Sequence, residues 1–520
     1  MQNLDKVNNS FLQAETKRDL LILFLLSAAL KISISLFIKV INHDAVVYIT
    51  AAQKIAQGAF REALAIYGMP LYPLLIALTH YVIPNWIAAA RLVSIVASTF
   101  TIIPLYLLTK EIFYRKAALW ASLAFSLLPL SNHLSIEVVR GPLFLFFLAL
   151  STYFANRAIN SKKLIHFLLS SLICLFAMLY RIEGFILYIF YLLYIFYIFL
   201  RHPKEKVTLL ISIFIFIALP LSLIALGSLL FETGWSMTFN RVDEVIRELK
   251  VFFSLQFLDN YKFIYKQLET LEISLPHRPK ALNLIEITRH YMPLIYFIGL
   301  LESFIKALFP LYLIPLAVGL WNARNRNAVL LLLLAACYFL MSYYYMISMD
   351  SIRERFLLTP AFLLLPWIGV GIDRLHMYVK GSSKQRLFTI LLVILLALLP
   401  AYRSLKIIWK QDTVLLEAGK WIAAVPQFQA AEIITTDSRV PFYAGRGAHY
   451  NWYPSPDYLS MEAVAESSRF DLLVIKQSKK NRSLAPPFKK FIKVKEFIGI
   501  KDIVSIYCSP GLYGTVKGKI

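Results

Sequence analysis

The chain has 520 residues, 58% of them hydrophobic and 16% charged, whereas soluble domains carry about 45–50% apolar and about 25% charged residues; with a mean hydropathy of +0.63, water is excluded as its main solvent. Lys and Arg number 54 against 31 Asp and Glu, a formal charge of +23, yet no basic stripe alternates with aromatics on a soluble module, so nucleic acid is not an expected partner. The three cysteines, Cys174, Cys337 and Cys508, show no metal-ligand spacing, and neither zinc nor disulfides are indicated.

In chain order, residues 1–19 are mostly polar and lead into the apolar run Leu20–Val40, long enough for ~30 Å of hydrocarbon at ~1.5 Å per residue. It reads as an uncleaved anchor, because further apolar runs follow it. Spans are expected at about residues 88–108, 118–131, 141–155, 164–179, 184–200, 207–231, 294–321, 328–347, 356–373 and 387–405. Together they predict a polytopic α-helical membrane domain of about 11 transmembrane helices over residues 20–405. Two connections are long, 41–87 and 232–293. The first contains Leu71–Ile83, too short for a span and suited to a helix lying along the interface. The second mixes apolar residues with Arg241, Asp243, Glu244, Arg247 and Glu248 before Pro276 and Pro279, which predicts amphipathic helices of the kind that cover a site. Residues 406–520 read as a small C-terminal α/β domain, with a helix over Val414–Ala424, strands at Glu432–Thr436, Asp471–Lys476 and Asp502–Tyr507, and a Gly- and Pro-containing segment from Pro441 to Pro456. Its cluster Lys479, Lys480 and Arg482 reads as a solvated loop.

Short-loop charges orient the spans. One side, with the N-terminus, collects eighteen Lys and Arg, including Lys17, Arg18, Arg115, Lys116, Lys162, Lys163, Lys204, Arg324, Lys380, Lys384 and Arg386; the other holds six, Lys54, Arg61, Arg140, Arg181, Arg353 and Arg355. The N-terminus is therefore expected in the cytoplasm and residues 406–520 outside it, in the periplasm if the cell is Gram-negative. The chain would be a multi-pass protein of the inner or plasma membrane.

Ionisable residues near a bilayer usually mark function or pairing, and here they gather on the outer rim. His43 and Asp44 follow the first span, with Tyr48 one turn on; Asp44 could be a catalytic acid or simply a helix N-cap. Glu137 and Arg140 share a helix face at i and i+3 and could be only an ion pair. Arg181 with Glu183, and Arg353, Glu354 and Arg355, could snorkel. Convergence of Asp44, Glu137, Arg140, Arg181, Arg353 and Arg355 on one face, with Arg91 a turn inside the second span, suits a phosphate carried on a lipid.

These residues resemble a known family. His43-Asp44 through Tyr48 and Gly58, Tyr67 to Tyr72, Arg91-Leu92, Glu137 to Arg140, Arg181-Ile182-Glu183-Gly184 and Arg353 to Phe356 are similar, in order and membrane side, to the protein O-mannosyltransferase and aminoarabinose-transferase superfamily of GT-C glycosyltransferases. The resemblance covers about residues 15–405. It implies a GT-C-like fold, a polyprenyl-phosphate or dolichyl-phosphate monosaccharide donor, a catalytic aspartate in the first outer loop, here Asp44, and a role for Arg91 near that loop. Ala45 stands where protein mannosyltransferases have a second acid, and the basic-Pro-Pro segment of the aminoarabinose enzymes is reduced to Met69-Pro70-Leu71, so neither subfamily's acceptor is implied.

A sugar on a lipid phosphate already has a leaving group, so the enzyme must deprotonate the acceptor hydroxyl and neutralise the departing phosphate. Asp44 is the expected general base, Arg91, Arg140, Arg181, Arg353 and Arg355 the donor-phosphate partners, Glu137 an orienter, and His43 and Tyr48 supports; a single displacement would invert the anomeric centre. No metal is required, although Asp44 with Glu137 could hold Mg²⁺ or Mn²⁺. The acceptor could be a lipid, glycan or protein. Two other classes compete: a transporter or flippase of a lipid-linked sugar, which would show repeated halves and broken midplane helices, and a non-enzymatic envelope assembly protein.

Overall fold

The computed structural model describes residues 2–201, 206–230, 240–274, 279–323, 326–379, 387, 390–391, 394–447, 450–453, 458–467, 470–480 and 488–516. Lys204, Arg324, Lys380, Lys384, Arg386, Pro276 and Arg482, and parts of the expected span 387–405 and of the segment 441–456, lie outside the described residues.

Among the described residues five helices are long and apolar enough to cross a membrane: Ala14–Phe37, Trp86–Ile112, Gly141–Ser161, Gly184–Arg201 and Asn327–Met349. Two bent pairs, Lys280–His290 with Met292–Leu308 at 73° and Glu354–Leu363 with Leu365–Tyr378 at 59°, make it up to seven when each pair is counted as one broken span rather than a re-entrant loop. Leu164–Tyr180, Lys206–Ser222 and Pro310–Asn322 are shorter apolar helices. The chain is a multi-pass membrane protein. Proline decides where several expected spans stop. The helix Arg115–Leu127 ends because Leu128, which precedes Pro129, takes an extended backbone with ψ of 118°, as steric conflict with the proline ring requires; a second helix, Pro129–Ile136, follows. The expected span 294–321 is two helices, Met292–Leu308 and Leu313–Asn322, separated at Phe309, whose φ is +72°, and Pro310. A helix cannot run through Pro310, which lacks the N–H and crowds the preceding turn. Leu71–His80 has ten residues, about 15 Å of helix and half of what a span needs. The loop 232–293 contains the helices Asn240–Phe253, Asp259–Ser274 and Pro279–His290.

The chain divides into two compact units. The helical unit comprises Met1–Ile32, Ser94–Ile136 and Arg140–Ser404. Small residues set its closest approach. Helix Leu365–Val379 lies so near helix Leu313–Asn322 that a Cβ on Gly371 would fall 1.7 Å from the Pro315 carbonyl oxygen, and one on Gly319 1.9 Å from that of Trp367. Gly369 meets helix Arg115–Leu127 in the same way, 2.1 Å from the Ala117 carbonyl oxygen. Close backbone packing of this kind replaces the hydrophobic drive that helices lack in lipid.

The mixed unit comprises Ser33–Val93, Glu137–Val139 and Leu405–Ile520. Its five-stranded sheet has strands β1 Ile433–Thr435, β2 Asn451–Trp452, β3 Leu472–Ser478, β4 Ile492–Ile498 and β5 Asp502–Cys508 in the order β2-β1-β3-β5-β4. β1 pairs parallel with β2 and β3, and β5 antiparallel with β3 and β4. Helix Val414–Ala424 buries Val414, Leu415, Ala418 and Ile422 with Leu472, Val474, Val504 and Ile506, while helix Tyr458–Ser467 buries Met461 and Ala465 with Leu473 and Ile475. The alternating residues of β3 thus serve one core each.

At the end of β1 the carboxylate of Asp437, 4% exposed, accepts from Arg439 Nε at 2.9 Å and Nη2 at 2.6 Å, with Lys476 at 3.7 Å. Burial raises its pKa, but Arg439 and Lys476 lower it more, and the carboxyl lies below the ordinary carboxylate value. A depressed folded-state pKa gives stability that is complete above the unfolded value and lost as pH falls through the folded one. Asp437→Asn should therefore lower thermal stability near neutral pH by roughly 3 kcal/mol, since it leaves a mostly buried guanidinium unpaired. The gap to the parent should close in strong acid, as scanning calorimetry across pH would register.

Candidate active site

His43, Asp44, Tyr48, Arg91 and Glu137 all belong to the mixed unit. The helix His43–Ala56 begins two residues earlier than a capping Asp44 would require: Asn42 is the N-cap residue and Asp44 sits in the first turn, where the helix dipole favours a carboxylate. Asn42 uses its side chain elsewhere. Its amide Nδ2 donates to the Val138 carbonyl at 3.2 Å, and its Oδ1 accepts from Val138 N–H at 3.0 Å. This two-way bond ties the segment carrying Glu137 to the start of the helix carrying Asp44. His43 Nε2 stands 3.3 Å from Ser438 Oγ and its ring is 5.5 Å from that of Trp452. Tyr48 is buried between the edges of Tyr67 at 4.9 Å and Tyr72 at 5.0 Å, a packing role.

The sequence suggested Arg91 as a phosphate partner. In the structure its side chain is 7% exposed and donates from Nη1 to the Ile38 carbonyl at 2.6 Å, with Ser35 at 3.5 Å, and from Nη2 to the Val40 carbonyl at 2.9 Å. These carbonyls end the first helix and begin the loop to Asp44, where no helical N–H can reach them. Arg91 thus binds the backbone ahead of Asp44 through Nη1 and Nη2, while its buried Nε has no hydrogen-bond partner among the described residues.

Arg140, Arg181, Arg353 and Arg355 belong to the helical unit. Arg181 closes the turn between helices Leu164–Tyr180 and Gly184–Arg201. The turn is tight because Gly184 packs against backbone: a Cβ there would lie 2.4 Å from Met178 N. The Arg181 guanidinium lies 5.5 Å from the ring centre of Phe144 and 5.0 Å from that of Phe356, and donates to both oxygens of Glu183. Glu183 is buried; burial opposes its charge, but Arg181, with Arg140 also contributing, holds its carboxyl below the ordinary value. Tyr338 Oη donates to the Glu183 carbonyl at 3.0 Å. Arg355 lies 5.5 Å from the Phe356 ring in the turn Glu354–Phe356, which Arg353 precedes as an exposed residue. Glu183, absent from the expected site residues, is the carboxylate that Arg181 binds and that Arg140 also acts on; its place in Arg-Ile-Glu-Gly was the signal.

Ile182 and Glu183 also line an apolar cavity of about 410 Å³, whose other walls include Phe185, Leu249, Phe252, Leu340 and Tyr344. Among the described residues no three His, Cys, Asp or Glu side chains are grouped as metal ligands.

Residues 68–224, under a third of the chain, match the family model of dolichyl-phosphate-mannose-protein mannosyltransferase. No curated protein matches the chain by sequence. Solved structures do match. The oligosaccharyltransferase of Archaeoglobus fulgidus, tethered with an acceptor peptide, superposes with a TM-score of 0.57 at 13% identity, covering 89% of this chain and 69% of its own. ArnT from Cupriavidus metallidurans, bound to undecaprenyl phosphate, gives 0.54 at 13% identity over 94% of this chain and 97% of its own. The fold is that of the GT-C glycosyltransferases. The Archaeoglobus enzyme has also been solved with an inhibitory peptide and a dolichol-phosphate, with a TM-score of 0.57 at 12% identity over 89% of this chain and 70% of its own. The GT-C likeness spans both the helical and the mixed units, and the family-model match contains Tyr72, Arg91, Glu137, Arg140, Arg181 and Glu183.

Proposed function

We propose that the chain is a membrane glycosyltransferase that moves a monosaccharide from a polyprenyl-phosphate or dolichyl-phosphate donor to an acceptor hydroxyl on the outer face of the membrane, with inversion. The observation that carries this reading is the pairing, within one unit, of the guanidinium cluster around Glu183 with the apolar cavity that Glu183 also lines. An ionic head beside an apolar hollow complements a phosphate on an isoprenoid chain. The ligands of the neighbours, undecaprenyl phosphate and dolichol-phosphate, belong to that class.

In this reading Asp44, in the first turn of its helix, is the general base. Arg140 and Arg355 or Arg353 neutralise the leaving phosphate, and Arg181 is fixed by Glu183 and the two phenylalanine rings for the same task. Glu137 orients the acceptor or Arg140. Arg91 holds the loop before Asp44. As the acceptor oxygen attacks the anomeric carbon, its proton passes to Asp44 and the sugar–phosphate bond breaks, leaving polyprenyl phosphate. The loop charges support an N-terminus in the cytoplasm and chemistry outside.

The test is sugar transfer by purified protein in detergent micelles from a radiolabelled polyprenyl-phosphate sugar. Release of polyprenyl phosphate with sugar on an acceptor supports the reading; a donor left intact, when vesicles show its translocation, replaces it with a flippase. Arg140→Gln should lower kcat/KM for the donor by about ten- to a hundredfold, the equivalent of roughly 1.5–3 kcal/mol for a charged hydrogen bond. Steady-state kinetics at varied donor concentration would measure this.

A further inference from the structure

Residues 38–42 lie between two helices; Ile38 N–H still bonds the Ile34 carbonyl and the Asn42 carbonyl accepts from Ala45 N–H, but the other polar groups here, with the Phe37 carbonyl at the helix end, must find partners elsewhere. Most of those partners come from the C-terminal α/β region, about 370–400 residues away in sequence. Gln411 Nε2 donates to the Phe37 carbonyl at 2.9 Å, and Gln411 Oε1 accepts from Lys39 N–H at 2.8 Å. Tyr443 Oη accepts from Ile41 N–H at 2.7 Å. Arg439, itself held by Asp437, reaches the Ile41 carbonyl at 3.5 Å. Arg91 takes the intervening carbonyls of Ile38 and Val40. The helix carrying Tyr443 is seated by Gly419, where a Cβ would lie 2.4 Å from Tyr443 Cβ.

We infer that the C-terminal domain positions Asp44: Gln411, Tyr443 and Arg439 grip the loop that leads into the Asp44 helix and fix the carboxylate for proton abstraction. The inference rests on Asp44 being the general base. These side chains bind main-chain groups, so they set where the helix begins whatever side chains the loop carries. A base displaced by about 1 Å can lose on the order of a hundredfold in rate, whereas the donor-phosphate arginines of the proposed site, Arg140, Arg181, Arg353 and Arg355, are not part of this loop, so donor binding is expected to be unchanged.

The experiment uses the full chain in detergent with Tyr443→Phe, which removes the acceptor for Ile41 N–H and keeps the ring, and with Gln411→Ala as a second variant. Amide hydrogen exchange in the peptide spanning 38–44 is followed beside that of β3 and β5, together with kcat and KM for the donor. Faster exchange at 38–44 with an unchanged sheet, and kcat lowered about tenfold or more at constant donor KM, is the expected result. Unchanged exchange in both variants overturns the grip. Faster exchange with unchanged kcat, or a raised donor KM alone, overturns the positioning role. A variant that fails to fold is judged by its partner variant. If the parent shows no transfer, the glycosyltransferase reading falls, while the exchange data still decide the grip.

Discussion

Asp44→Asn is expected to abolish transfer, with kcat reduced by at least about 10³-fold, while the protein still inserts, purifies and binds donor. General-base catalysis contributes about 10²–10⁴ in rate, and a carboxylate next to an oxocarbenium-like centre adds to it. Asparagine keeps the size and the hydrogen-bond acceptor of aspartate but cannot take a proton or offset developing positive charge. Asp44 lies in the first turn of its helix, behind the cap residue Asn42, so the variant leaves the cap and its bonds to Val138 in place. Loss of activity with the thermal midpoint preserved in detergent is the expected pattern. Near-parental turnover would remove Asp44 from the chemistry.

Gly371→Val should prevent the helical unit from assembling. A Cβ at this position would fall 1.7 Å from the Pro315 carbonyl oxygen and 2.5 Å from its carbon, far inside van der Waals contact, and the obstruction is backbone that cannot turn aside. The helices Leu313–Asn322 and Leu365–Val379 would have to separate along their length, undoing the Gly319 contact as well. Overpacking of an ordinary core costs about 1–3 kcal/mol; separating backbones here should exceed that and consume most of a typical stability of ~5–15 kcal/mol. Size-exclusion chromatography in detergent should show aggregate in place of a monodisperse peak. Gly511→Ala, at a glycine with nothing within 4 Å of the added carbon, should elute like the parent.

Much of this was legible in the sequence where the signal is local. The helix Val414–Ala424 has the bounds its apolar period gave, and three strands appear within two residues of their expected ends. β4 was missed because Lys493, Lys495 and Glu496 interrupt Ile492, Val494 and Phe497; charge on the outer strand of a sheet guards an edge but reads as a loop. The break at Phe309 was concealed by apolar residues on both sides of Pro310, which kept the hydropathy of one long span. Asp44, Arg181 and Glu183 stood out because ionisable residues are rare beside a bilayer. What they touch did not. Arg91 was visible as a charge, but nothing in one sequence says that its guanidinium will meet the carbonyls of Ile38 and Val40. The grip of Tyr443 on Ile41 joins positions 402 residues apart, and a tyrosine within a polar tail gives no sign of it.

The mixed unit is assembled from three separated stretches of chain, and this fixes an order of events during synthesis. Ile41 leaves the ribosome 402 residues ahead of Tyr443, an interval of roughly 20–80 s at ~5–20 residues per second. Throughout that time the loop before Asp44 can have Arg91 but lacks Gln411, Tyr443 and Arg439. On the proposed reading of Asp44 as the base, the nascent protein carries it without the grip of the C-terminal region, which arrives only with the final quarter of the chain.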